Sequence, residues 1–167
     1  MVHVVIEGDP QPLRRHRTGR MGTYNPSAAD QRKFLELARP FLPPRPLVGP
    51  LEATLVFRMC RPRSHYRSGR YAHLLKENVP RFHTARTDLD NLVKLVLDSI
   101  NEVAYEDDRQ VVSVKAVKEY CNRGVGSTEL TLRVLCDEAE AEQEEEKEER
   151  EKGIEMVEAA AAGTRGG

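Results

Sequence analysis

The sequence is poor in the features that mark several special protein classes. Its 167 residues include only three cysteines, Cys60, Cys121 and Cys136, and none stands in a CxxC or other zinc-type spacing. That argues against a zinc module or a disulfide framework and predicts reduced thiols in a cytosol-like compartment. No apolar run approaches the ~20 residues a membrane helix needs. The opening Val2-His3-Val4-Val5-Ile6 is too short for a secretory signal and reads as a strand. His65, His73 and His83 are too scattered to suggest a metal site.

An apolar fraction of 39% and a charged fraction of 32% suit one domain with a real core and a polar appendage. The net charge of −1 hides an asymmetry. From Asp137 to Gly167 there are twelve acidic and four basic side chains, a net of −8; residues 1–136 hold fifteen acidic and twenty-two basic, a net of +7. A basic body of this kind suits a polyanionic partner. The division predicts a domain over 1–136 and an acidic low-complexity tail, helical or disordered, over 137–167. A tail that covers the basic body until nucleic acid displaces it is a further expectation.

The most informative residues run from Thr87 to Gln110. Two carboxylates, Asp88 and Asp90, open this run. Leu89, Leu92, Val93, Val96, Ile100 and Val103 then trace one helical face. Lys94 and Asp98 lie off that face, and a second acidic pair, Asp107 and Asp108, closes the run. Hard divalent cations such as Mg²⁺ bind one or two carboxylates together with water and substrate phosphate. A nearby lysine can serve as a point charge for phosphate. The pattern therefore suggests a metal-dependent site that cuts phosphodiesters.

A plainer reading also fits Asp88 and Asp90. Thr87 could cap the helix in a Thr87-x-x-Asp90 capping box, with the acids stabilised by the helix dipole by ~0.3–1 kcal/mol. That explains neither Lys94 nor the second pair. The metal reading has its own geometric demands. Residues two apart do not share a helix face, so Asp88 must lie at or before the first turn. Asp108 can return only if the chain turns sharply near Asn101–Glu102.

Two basic stretches flank this region. Arg14, Arg15, Arg17 and Arg20 fall within seven residues of a Gly- and Pro-marked loop, where their mutual repulsion calls for an anion such as DNA phosphate. Residues 61–86 carry seven Lys/Arg against one acid, Glu77, with Tyr66, Tyr71 and Phe82 interleaved. Arg67, Arg70 and Arg86 are candidate phosphate contacts, and the aromatics candidate stacking platforms. This second stretch is expected to be a mobile arm that orders on DNA.

The remaining elements are predicted from pattern. Asn25 and Pro26 should start a helix carrying Phe34, Leu37, Ala38 and Phe41 on one face, ended or kinked by Pro40 near Arg39. Leu51–Cys60 alternates as a strand, and Val111–Tyr120 and Thr128–Leu135 should form a hairpin about the Gly-rich turn at 121–127. The expected fold class is α+β, a small mixed sheet of about four strands with two main helices.

Asp88-x-Asp90-Asn91-Leu92-x-Lys94-x-x-x-Asp98 followed by Asp107-Asp108-x-Gln110-Val111 resembles the signature of the RusA-type Holliday-junction resolvases. The resemblance extends to Gly8-Asp9-Pro10-Gln11-Pro12 and Tyr24-Asn25-Pro26, and ends near Leu135. It implies a small homodimeric endonuclease that cuts four-way DNA junctions in recombination and repair with Mg²⁺ as cofactor. Asp88, Asp90 and Asp108 would then hold metal, and Lys94 would match the family's essential lysine. Thr87 departs from the proline usual before the first aspartate. Asn91 would orient a carboxylate or water, and Asp98 would be structural or supporting. The alternative is a structure-specific DNA-binding protein without cleavage. The implied location is cytoplasmic and nucleoid-associated in a prokaryote or phage, nuclear or organellar in a eukaryote.

Overall fold

Alternation between Leu51 and Met59 builds the strand on which the rest of the sheet is assembled. The computed structural model describes residues 1–19, 22–85, 87–122 and 124–135. In chain order its elements are β1 (Val2–Glu7), β2 (Arg17–Gly19), β3 (Gly22–Tyr24), α1 (Ala28–Ala38), β4 (Leu51–Met59), α2 (Leu89–Ile100), β5 (Val111–Tyr120) and β6 (Ser127–Val134). The main sheet has the order β1-β6-β4-β5. β6 is antiparallel to both β1 and β4, whereas β5 runs parallel to β4. Register aligns Val4, Leu130, Leu55 and Ala116 in one row across the sheet. The expected α+β class with a four-stranded mixed sheet and two helices is therefore what the chain forms.

Both helices contribute to the core formed by this sheet face. Phe34 and Ala38 of α1 and Leu92, Leu95, Val96 and Ile100 of α2 join Val4, Leu55, Phe57 and Leu130 in it. Each of the large aliphatic side chains of α2 contributes roughly 1.5–3 kcal/mol by burial. Charges at a helix start add ~0.3–1 kcal/mol. Packing therefore holds α2, and its N-terminal carboxylates are not needed to keep it folded. The other sheet face carries ion pairs, among them Glu52 with Lys115 at 2.7 Å and Arg58 with Glu129 at 2.6 Å.

Several local expectations change. β5 and β6 do not form a hairpin, because β4 lies between them and hydrogen-bonds to both. β4 buries alternate side chains along its whole length, and a strand so placed satisfies its backbone on both edges. The 121–126 connection crosses its end, and a Cβ on Gly126 would lie 2.8 Å from Arg58 O and Asp9 Oδ1. That glycine is required by close approach, not by a two-residue turn.

Helix α1 begins after Ser27, not Asn25; Asn25 Oδ1 instead accepts from Ser27 N at 2.9 Å. Leu37 and Phe41 are 45% and 54% exposed, so only Phe34 and Ala38 of the expected face are buried. Within the N-terminal basic loop, β2 and β3 pair as a short ribbon that the glycines had masked. Val112 and Val114 are 62% and 46% exposed because β5 is an edge strand. The acidic stretch 137–167 lies outside the described residues, as do Arg20, Arg86 and Cys136. Met1–Val134 forms one compact unit.

Candidate functional site

The head of α2 presents carboxylates that the fold leaves unused. Asp88, not Thr87, is the N-cap residue, with extended φ −76 and ψ 136, yet its side chain makes no capping hydrogen bond. The expected Thr87 capping box is absent: Thr87 N donates to Ala85 O, and Thr87 O accepts from the Lys118 ammonium. Asp90, Lys94 and Asp98 recur every four residues and are all exposed, opposite the buried face of the helix. This spacing forms one stripe that climbs roughly 12 Å from Asp90 to Asp98.

The sharp turn that Asp108 needs is present. Asn101 leaves the helix with ψ 146, and Glu102 takes the left-handed region at φ 62. Ala104 N bonds Ile100 O, and the buried Tyr105 hydroxyl donates to Leu97 O at 2.8 Å. Asp107 and Asp108 then diverge in role. Asp107 caps the single turn Asp108–Gln110, accepts from Arg109 N at 2.9 Å and pairs with the Arg109 guanidinium at 2.7 Å. The Arg109 hydrogen bonds hold its carboxyl well below the usual carboxylate range. Among the described residues no such partner engages Asp108, so the turn occupies Asp107 and leaves Asp108 without a comparable bond.

Gln110 fixes this turn. Its Oε1 accepts from Glu106 N at 2.8 Å and Asp107 N at 3.0 Å, while Nε2 donates to Leu47 O at 3.0 Å and Gly49 O at 3.1 Å. Sequence reading placed Gln110 in the motif but gave it no role. Lys118 was missed altogether. Its ammonium reaches from β5 to the carbonyls of Ala85 and Thr87, just before Asp88. A lysine in an alternating strand gave no local sign of that contact.

The return of the chain is seen at Asp98. Partial desolvation at the helix surface and the Asp108 carboxylate raise the Asp98 pKa, while Lys94 and His16 act in the opposite direction. Asp98, read from sequence as supporting, thus shares its surroundings with Asp108, Lys94 and the N-terminal basic loop. That loop is tied to α2 by Leu13 N donating to Asn91 O at 2.8 Å. The donor chemistry suits a hard cation: exposed carboxylates with no hydrogen bond or ion pair among the described residues. As arranged, no three Asp, Glu, His or Cys side chains among the described residues are grouped to hold a metal ion.

The basic side chains divide similarly. Arg14 pairs with Asp30 at 2.5 Å and Arg67 with Glu77 at 3.3 Å. Arg70 lies over the Tyr71 ring at 4.6 Å. Arg15 and Arg17 are exposed. Residues 61–85 carry their own hydrogen bonds. Arg81 and His83 pair with Tyr120 and Lys118 of β5, through Tyr120 N to Arg81 O at 2.8 Å and His83 N to Lys118 O at 3.1 Å. His65 and His83 flank the Tyr120 ring edge-on. Burial and the Lys118 charge favour neutral His83. No helix among the described residues is long and apolar enough to cross a membrane.

No curated protein matches the chain. The family described as Endodeoxyribonuclease RusA matches residues 7–133, from the end of β1 into β6. The matched span contains α2, the Asp107–Asp108 turn and both basic stretches. On that match, the chain belongs to the RusA endodeoxyribonuclease family.

Proposed function

We propose that this chain is a Mg²⁺-dependent endonuclease that resolves four-way DNA junctions as a homodimer. The observation that carries the reading is the unequal use of the acids. Asp107 is consumed by a cap and an arginine, whereas Asp88, Asp90 and Asp108 make no such bond among the described residues. Asp88, Asp90 and Asp108 would hold the metal. A bound Mg²⁺ would activate water and stabilise charge on the phosphate.

The chain's own side chains do the rest. Lys94, one turn beyond Asp90 on the exposed stripe, offers a point charge to the phosphate or leaving oxygen. The Asn91 backbone carbonyl accepts from Leu13 N, and Arg14, Arg15, Arg17 and Arg20, which follow Leu13 in the chain, would supply phosphate contacts. Arg67, Arg70 and Arg86 would supply phosphate contacts from the second basic stretch. A two-fold dimer would direct two sites to opposite strands of a junction. We assign endonuclease activity to 1–136 and treat 137–167 as an acidic appendage acting in a nucleoid-like setting.

The test is cleavage of a synthetic four-way junction, beside linear duplex of the same sequence, with Mg²⁺ and with EDTA. Paired symmetric nicks that need both Mg²⁺ and the junction are expected. Tight junction binding without nicks under any divalent metal would instead favour a binding protein that does not cleave.

A further inference from the structure

We propose that residues 66–75 form a finger that stacks Tyr71 against bases at the branch point, so that this side chain distinguishes junction from duplex. The inference rests on the junction reading above. Tyr66 and Leu75 pair as an isolated antiparallel bridge, closed by Arg67 N to Leu74 O at 2.9 Å and Lys76 N to His65 O at 2.9 Å. The tip is a single helical turn over Gly69–Tyr71, with Gly69 at φ 61, a conformation that favours glycine. Leu74 N bonds Tyr71 O at 2.9 Å. The finger is thus shaped by its backbone, without a core of its own.

Two of its large apolar side chains remain in water, whereas Tyr66 and Leu75 are half-buried. Tyr71 is 44% exposed and Leu74 41% exposed. Arg63, Arg67, Arg70 and Lys76 are exposed cations on the same segment, Arg67 paired with Glu77 and Arg70 stacked over the Tyr71 ring. An exposed aromatic plane among phosphate-binding cations is the combination that binds unpaired or unstacked bases. The root is also fixed. Arg61 ties it to Pro80 O at 2.9 Å and to Cys121 O at 3.1 Å. From there the chain pairs with β5 and continues to Asp88. Finger and acidic helix therefore hang from the same strand.

Selectivity follows from stacking. A continuous duplex must be unstacked before an aromatic ring can enter, at a cost of a few kcal/mol per step; a branch point already interrupts the stack. Tyr71 should therefore add affinity for the junction and little for the duplex.

The test uses the full-length chain in EDTA, so that metal-dependent cutting cannot interfere. Junctions carry 2-aminopurine either at the branch point or well inside one arm. Wild type should raise the branch-point fluorescence and leave the arm probe unchanged. Tyr71→Ala should abolish the rise and lose about tenfold in junction-over-duplex preference. Its salt dependence should stay the same, because no phosphate contact is removed. Tyr71→Phe should behave as wild type, since stacking uses the ring and not the hydroxyl. If Tyr71→Ala keeps both signal and preference, or Tyr71→Phe loses them, the finger is overturned while the junction reading stands. A wild type that binds junction no better than duplex overturns both.

Discussion

Replacing Gln110 with alanine tests whether the turn bearing Asp108 is held in place by one side chain. The amide makes four hydrogen bonds, two to the amides of Glu106 and Asp107 and two to the carbonyls of Leu47 and Gly49. Each is worth about 0.5–1.5 kcal/mol net, and a partly wet site should return part of that to water, leaving a loss of about 2–3 kcal/mol. For a folded unit of this size the melting temperature should fall by about 10 °C. Asp108 would no longer be held at its place, so Mg²⁺-dependent junction cleavage should also fall at temperatures well below the new melting point. The assays are thermal unfolding by circular dichroism and single-turnover cleavage at 20 °C. A variant that melts as wild type would refute the hydrogen-bond accounting. A variant that melts early but cuts normally would refute the link between this turn and the site.

Asp108→Asn should abolish cutting with little change in melting, whereas Asp107→Asn should lower stability at pH 7, by an amount that shrinks as the pH falls, and cut more nearly as wild type. The Arg109 bonds depress the folded pKa of Asp107, so its contribution is present above the unfolded carboxylate value and lost as pH falls through the folded one. Melting curves of both variants from pH 7 down to pH 2 would show which acid is structural. Asp98 has the opposite sign. Its folded pKa is raised, so charging it opposes folding as pH rises through its unfolded value. Asp98→Asn should thus melt higher than wild type at pH 7 in EDTA, and the gain should vanish below about pH 3.5. Lys118→Met removes the ammonium from the Ala85 and Thr87 carbonyls; it should slow cutting and raise the Mg²⁺ concentration needed, with junction affinity retained. Removing 137–167 deletes a net charge of −8 and should tighten junction binding at low salt, with the difference shrinking as salt rises.

Features that depend on near neighbours could be read from sequence. The 3.6-residue spacing of Leu92, Val96 and Ile100 gave α2, and strict alternation gave β1 and β4, because those periods follow from backbone geometry alone. The need for a reversal at Asn101–Glu102 could also be deduced, from the requirement that Asp108 approach a helix it follows. Helix starts were less legible. Thr87 and Asn25 are both good caps by type, yet neither caps its helix, since Thr87 O is held by Lys118 from a strand thirty-one residues later.

Sequence by itself determined the α+β class, the acidic stripe of α2 with Lys94, and the uneven charge between body and tail, because each is set by residue type and local period. Only the tertiary structure decided the strand order, with β4 separating β5 from β6, since that depends on which strand must satisfy both of its edges. It also decided which of two adjacent aspartates is free. Asp107 and Asp108 are the same side chain one residue apart. Gln110 bonds the Asp107 backbone, Arg109 bonds its carboxylate, and the contacts of Gln110 with Leu47 and Gly49 fix the turn in which those bonds form.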